Sequence, residues 1–261
     1  MPDYSLIDQP ALLRFLFYPR KDFKACPQNA FDFFVRVAEG VVISCRFYAG
    51  NNIWPWIIYF HGNGEVVSDY DEIALSYHQR GLNLVVTDYR GYGASTGNPT
   101  FASLIKDAHY LFKAIAEELL QKELKQDLWI MGRSLGSVSA LELACHYPDK
   151  IKGLIIESGF AGIVRLIKHL GLPSPDINLN PLEEECVETV GKISVPALII
   201  HGQYDTLIPL QEAKYLFEYL GTAQKQLVII PNADHNDIMF VGHEQYFEAI
   251  QRFIESTGQN F

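Results

Sequence analysis

Short, continuous apolar runs alternate along this chain with longer stretches in which apolar residues recur at helical spacing. Residues 31–37 and 41–48 flank Gly40 and predict an N-terminal hairpin, and Trp56-Ile57-Ile58-Tyr59-Phe60 predicts a buried strand. From there the alternation becomes regular. Segments 83–87, 128–131, 153–156, 197–200 and 226–230 predict strands, while 66–80, 101–120, 137–147, 210–220 and 244–254 predict helices. Strands that are apolar throughout, separated by helices, imply an α/β fold with a mainly parallel central sheet and helices on both faces.

One interval breaks the rhythm. Residues 159–194 carry Pro173, Pro175 and Pro181 and predict a broken helical insertion. Within it Ile163, Leu166, Ile167 and Leu170 share one helical face, with Arg165, Lys168 and His169 facing away. Asn180-Pro181 ahead of Glu183-Glu184-Glu185 predicts a second helix, with Asn180 as its cap, proline at its first position and acids where the dipole favours them. The expected organisation is a core formed by 1–158 and 195–261, with 159–194 as a small helical cap over the carboxyl edge of the sheet.

A length of 261 residues suits one large domain, and 48% hydrophobic with 20% charged residues suits a folded chain rather than a disordered one. The net charge of −10 argues against a nucleic-acid partner, since neutralising phosphates needs clustered cations. The basic clusters at 14–24 and 165–169 leave room for peripheral contact with a membrane surface. Cys26, Cys45, Cys145 and Cys186 form no C-x-x-C pair, and no histidine spacing of the zinc type is seen, so reduced thiols and no structural metal are expected. Asp3 and Asp8 stand where a signal peptide would carry cations, and the apolar run 12–18 is too short to span a bilayer, so the expectation is a cytoplasmic protein without an integral membrane segment.

The chemistry concentrates at Gly132-Arg133-Ser134-Leu135-Gly136, which joins a predicted strand to a predicted helix. Such a turn is tight enough to need glycines on both sides of the serine and to lift its hydroxyl above the sheet. A serine hydroxyl is a weak nucleophile at neutral pH and needs a base, itself oriented by an acid. His235, on the polar loop after the last strand, is the candidate base, and Asp205, beyond the strand 197–200, is the candidate acid. Leu135 and Asn63 are expected to give the two backbone donors of an oxyanion hole, with Gly64 as the fallback for the second. Gly64, Arg133, Ile163, Leu166, Ile167 and Leu170 are the candidate substrate-pocket residues.

Five segments occur in a telling order: His61-Gly62-Asn63-Gly64, Asp88-Tyr89-Arg90-Gly91-Tyr92-Gly93-Ala94-Ser95, the serine elbow, residues 198–205 and His235-Asn236-Asp237. Together they resemble the α/β-hydrolase superfamily over nearly the full chain, and within it the branch of α/β-hydrolase-domain depalmitoylases and their microbial relatives. The resemblance implies an α/β-hydrolase fold and hydrolysis of carboxylic esters or thioesters, as by a carboxylesterase, lipase or acyl-protein thioesterase, without a cofactor. Substrates would be small molecules or acylated proteins, and the chain a monomer or small homo-oligomer. The cysteine-rich, lipid-modified N-terminus of relatives that act on membrane proteins has no counterpart here beyond Cys26.

Blander readings compete at several positions. Ser134 could merely cap a helix, Glu157 is the rival acid, His243 the rival base, and Asp237 a brace for the base loop. Arg133 could instead be fixed in an ion pair. An inert hydrolase-fold scaffold and a serine peptidase are the alternative functions.

Overall fold

The computed structural model describes residues 2–172 and 177–258. Its sheet contains β1 (Ala30–Ala38), β2 (Val41–Tyr48), β3 (Trp56–Phe60), β4 (Asn83–Thr87), β5 (Leu128–Arg133), β6 (Gly153–Glu157), β7 (Ala197–Gly202) and β8 (Lys225–Ile230). These form a single eight-stranded sheet in the order β1-β2-β4-β3-β5-β6-β7-β8. The hairpin β1–β2 joins β4 antiparallel, and every pairing from β4 to β8 is parallel.

The helices are α1 (Pro10–Leu16), α2 (Ile73–His78), α3 (Phe101–Gln121), α4 (Gly136–His146), α5 (Ile163–His169), α6 (Asn180–Gly191), α7 (Leu210–Tyr219), α8 (Ile238–Val241) and α9 (His243–Gly258). Alternation along the strands divides the interior between them. Trp56, Ile58 and Phe60 of β3, Ile130 of β5 and Ile199 of β7 join one apolar cluster with α1, α3, α4 and α5. Ile57, Tyr59, Trp129, Met131, Leu198 and Ile200 join the other, with α2 and α9. Each large apolar side chain so buried contributes about 1.5–3 kcal/mol, which is why these strands read as unbroken apolar runs.

Two expectations are revised. The single helix predicted over 66–80 is a 3-10 turn (Val67–Tyr70) followed by the short α2. Asn180 does not cap α6; it is the first helical residue, and the Asn178 side chain accepts a hydrogen bond from its N–H at 3.1 Å. The apolar run at 12–18, read as too short for a bilayer, supplies most of α1. Pro173 and Pro175 lie outside the described residues; Pro181 stands in the first turn of α6. In the connection from β6 to β7, α5 and α6 pack on each other, and α6 also packs between α4 and α7. Among the described residues no helix is long and apolar enough to cross a membrane.

Candidate active site

The elbow sits where β5 gives way to α4, and its glycines are there for space. A Cβ on Gly132 would overlap the backbone of Gly136, and one on Gly136 would overlap the carbonyl of Phe60 at the end of β3. Ser134 itself adopts φ +51°, a left-handed conformation that costs a non-glycine residue about 1–3 kcal/mol. Hydrogen bonds hold it there: its N–H donates to Glu157 O at 2.9 Å, and its carbonyl accepts from Ser137 N at 3.0 Å and Ser137 Oγ at 2.6 Å.

Three residues far apart in sequence meet at this point. His235 Nε2 lies 3.1 Å from Ser134 Oγ, and His235 Nδ1 lies 2.7 Å from Asp205 Oδ2. The other carboxylate oxygen of Asp205 accepts the N–H groups of Leu207 at 3.0 Å and Ile208 at 2.7 Å, so the acid is fixed in orientation. All three side chains are buried. With Nδ1–H donated to Asp205, Nε2 carries the lone pair toward the hydroxyl, the tautomer a general base requires.

The loop bearing His235 is laced to the loop bearing Asp205. Asp234 Oδ1 accepts from Thr206 N at 3.0 Å and from His235 N at 2.7 Å, and these backbone donors hold its pKa below the usual aspartate range. Asp237 Oδ1 accepts from Asp234 N at 2.7 Å, so Asp237 braces the turn. His201 lies buried beneath, with Nε2 donating to Ile208 O at 2.8 Å, and burial pushes its pKa down.

Arg133 is not on the pocket wall. Its guanidinium is buried, donating from Nε to Glu157 Oε1 at 3.0 Å and from Nη2 to the His235 carbonyl at 2.8 Å and Asn236 Oδ1 at 3.1 Å. Its Nη1 pairs with Glu65, whose other oxygen accepts Gly62 N at 2.7 Å and Tyr70 Oη at 2.8 Å. Burial opposes the arginine's charge, but the carboxylates of Glu65 and Glu157 outweigh it and raise its pKa. The ion-pair reading of Arg133 therefore describes its environment, and one cation ties together the elbow, the 61–65 loop and the base loop. Glu157, the rival acid, is consumed there: Oε2 accepts from Tyr59 Oη at 3.0 Å and Tyr246 Oη at 2.7 Å. His243, the rival base, begins α9 and contacts Ser76 Oγ at 3.3 Å.

Above Ser134 opens a cavity of about 280 Å³. Asn63 and Leu135 border it, and Leu135 precedes the first residue of α4, so its N–H is among the helix's unclaimed first-turn donors. The Asn63 side chain accepts from Tyr92 Oη at 2.6 Å and Tyr18 N at 2.9 Å and donates to Leu16 O at 3.1 Å, which fixes its loop. Ile163, Leu166 and Leu170 line the cavity as expected of that stripe, but Ile167 and Gly64 are not among the lining residues. Phe15, Leu16, Tyr18, Phe101, Phe160, Leu172, Leu207 and Ile208 complete the wall. Sequence reasoning missed the contribution of α1; its signal was Pro10 ahead of an apolar run.

The strand order, with serine after β5, aspartate after β7 and histidine after β8, defines an α/β-hydrolase fold. The Hydrolase_4 family model, described as serine aminopeptidase, S33, matches residues 55–174 and 178–239, and the chain belongs to that family. It is similar to protein bem46 of Schizosaccharomyces pombe, 28% identical over 214 residues that span 79% of this chain and 69% of that one. Human alpha/beta hydrolase domain-containing protein 17B is 27% identical over 226 residues, 85% of this chain and 74% of that protein. The esterase Pf2001 of Pyrococcus furiosus shares the fold, with a TM-score of 0.75 at 17% identity over 92% of this chain and 99% of its own. The superfamily resemblance read from the five motifs is borne out, and the chain is a hydrolase of that superfamily.

Proposed function

We propose that this protein hydrolyses carboxylic esters or thioesters through an acyl-enzyme. Ser134 Oγ attacks the carbonyl while His235 Nε2 takes its proton; Asp205 holds the tautomer and stabilises the imidazolium. The backbone N–H groups of Asn63 and Leu135 receive the oxyanion. The imidazolium returns its proton to the leaving alcohol or thiol, and water repeats the cycle to release the acid. Residues 159–194 act as a small cap, contributing α5 to the acyl side of the site.

The observation that carries this reading is the Ser134–His235–Asp205 chain of contacts opening onto a cavity walled almost entirely by apolar side chains. A hydrocarbon acyl group suits such a wall. Each methylene moved from water into it contributes about 0.8 kcal/mol, or roughly fourfold in kcat/KM. The family's description as serine aminopeptidases favours a second reading. That chemistry needs an acid to receive the substrate ammonium, and no Asp or Glu is among the cavity's lining residues.

The test is a series of p-nitrophenyl acetate, butyrate, octanoate and palmitate, with thioester analogues and aminoacyl p-nitroanilides alongside. Ester or thioester turnover that rises with acyl length and then falls once the cavity is filled supports the proposal. Turnover confined to the anilides would replace it with the peptidase reading, and no turnover of any would favour the inert scaffold.

A further inference from the structure

On the side of the sheet covered by α3 and α4, away from the serine, two histidines and a glutamate converge. His109 comes from α3; Glu142 and His146 stand one turn apart near the end of α4. His109 Nε2 and His146 Nδ1 lie 3.1 Å and 3.0 Å from the same oxygen, Glu142 Oε1; His146 Nδ1 also lies 3.0 Å from the Glu142 main-chain carbonyl, a contact it would exchange for the ion. One ligand atom from each of the three residues can be chosen so that all lie within 4.8 Å of one another. We propose that His109, Glu142 and His146 bind a divalent transition-metal ion, with Zn²⁺ the best match, clamping the end of α4 to α3.

The donor set carries the choice of metal. Two imidazoles and a carboxylate form a three-ligand set used by zinc, with the remaining position open to water. Zinc–ligand bonds of about 2.0–2.1 Å in a tetrahedron put neighbouring donor atoms roughly 3.3 Å apart, close to the separations already present between Glu142 and the two rings. The outer arrangement also fits. His109 Nδ1 lies 3.0 Å from Tyr147 Oη, and a tautomer donating Nδ1–H to that oxygen leaves Nε2 with its lone pair for the metal.

The surroundings of the carboxylate point independently to a cation. Glu142 is 1% exposed, yet its second oxygen, Oε2, has no hydrogen-bond partner among the described residues. Nor does Glu142 pair with any lysine or arginine there; its ion-pair partners are His109 and His146. A buried carboxylate oxygen left without a partner is costly, and an ion held between it and the two rings would supply one. The His146 side chain is 39% exposed, so an ion can enter from solvent. Histidine spacing could not reveal this site, because His109 lies on α3 and its partners on α4, with β5 between the two helices in the chain.

The test uses the full chain, stripped with a chelator and titrated with Zn²⁺ by calorimetry and with Co²⁺ by visible absorption. One equivalent should bind, with a Co²⁺ spectrum of nitrogen and oxygen ligation and a rise in Tm. His109→Ala, Glu142→Gln and His146→Ala should each weaken binding by at least the roughly 10–100-fold that loss of an outer hydrogen-bond partner costs. His243→Ala, remote from the cluster, should bind as wild type does. His146→Ala removes a partly exposed side chain near a helix end, so it tests the site in a folded protein. Absence of binding at micromolar Zn²⁺, or binding unchanged in His109→Ala and His146→Ala, overturns the proposal.

Discussion

Replacing Arg133 by methionine keeps the bulk of the side chain, removes its charge and strands two carboxylates. Glu157 Oε1 loses its arginine partner while Oε2 keeps the two tyrosines; Glu65 Oε1 loses its partner while Oε2 keeps Gly62 N and Tyr70. The Glu157 side chain is completely buried and that of Glu65 is 24% exposed, so the uncompensated charge stays largely out of water. Breaking a buried pair by removing one member costs about 3–5 kcal/mol. For a domain of this size that is a fall in Tm of roughly 6–20 °C. The His235 carbonyl and Asn236 lose their anchors in the same step, so the base loop loosens and kcat should fall while KM stays nearly constant. Denaturation followed by circular dichroism, with ester kinetics on the same samples, reads both effects. Adding Glu157→Gln to Arg133→Met should recover part of the stability, because one of the two stranded charges is then gone. A single variant that melts within about 1 kcal/mol of wild type and keeps its kcat would refute the hub described for Arg133.

Other outcomes rest on the same geometry. Gly136→Ala should abolish nucleophile labelling and lower stability, because a Cβ there overlaps the Phe60 carbonyl; a variant with wild-type labelling contradicts that close packing. Burial holds the pKa of His201 below its unfolded value of about 6.5, so below that pH the unfolded chain binds the extra proton. Its contribution is therefore undiminished above pH ~6.5 and is lost as pH falls below that value, and His201→Gln should show a shallower loss of Tm between pH 7.5 and 5.5 than wild type. An identical loss in both proteins would count against a neutral buried imidazole. Leu166→Trp, which fills cavity wall, should cut octanoate turnover far more than acetate turnover; equal losses would place the acyl chain elsewhere.

Much of this arrangement was legible in sequence for physical reasons. The parallel strands are covered on both faces, so β3 to β7 appear as unbroken apolar runs, and the elbow's glycines are required by backbone overlap that no other residue avoids. The loops bearing Asp205 and His235 follow β7 and β8 in the chain, which made their placement readable. What escaped depends on contacts between distant segments. Asn63 is held by Leu16, Tyr18 and Tyr92, and the wall of the cavity by α1, none of which leaves a local pattern. Arg133 looked available for substrate because its partners, Glu65, Glu157 and the His235 loop, are brought to it only by the fold. Ile167 shares a helical stripe with Leu166, yet only Leu166 is among the residues lining the cavity.

The central claim is that Ser134 is the nucleophile of a working hydrolase, and the most direct test is fluorophosphonate labelling with p-nitrophenyl ester turnover on wild type and Ser134→Ala. Wild type should label on Ser134 and cleave esters, and the variant should fail to label and lose turnover by on the order of 10⁴-fold or more while keeping its Tm to within a few degrees. A folded Ser134→Ala that still labels and turns over at the wild-type rate, or a wild type that does neither, would contradict the account.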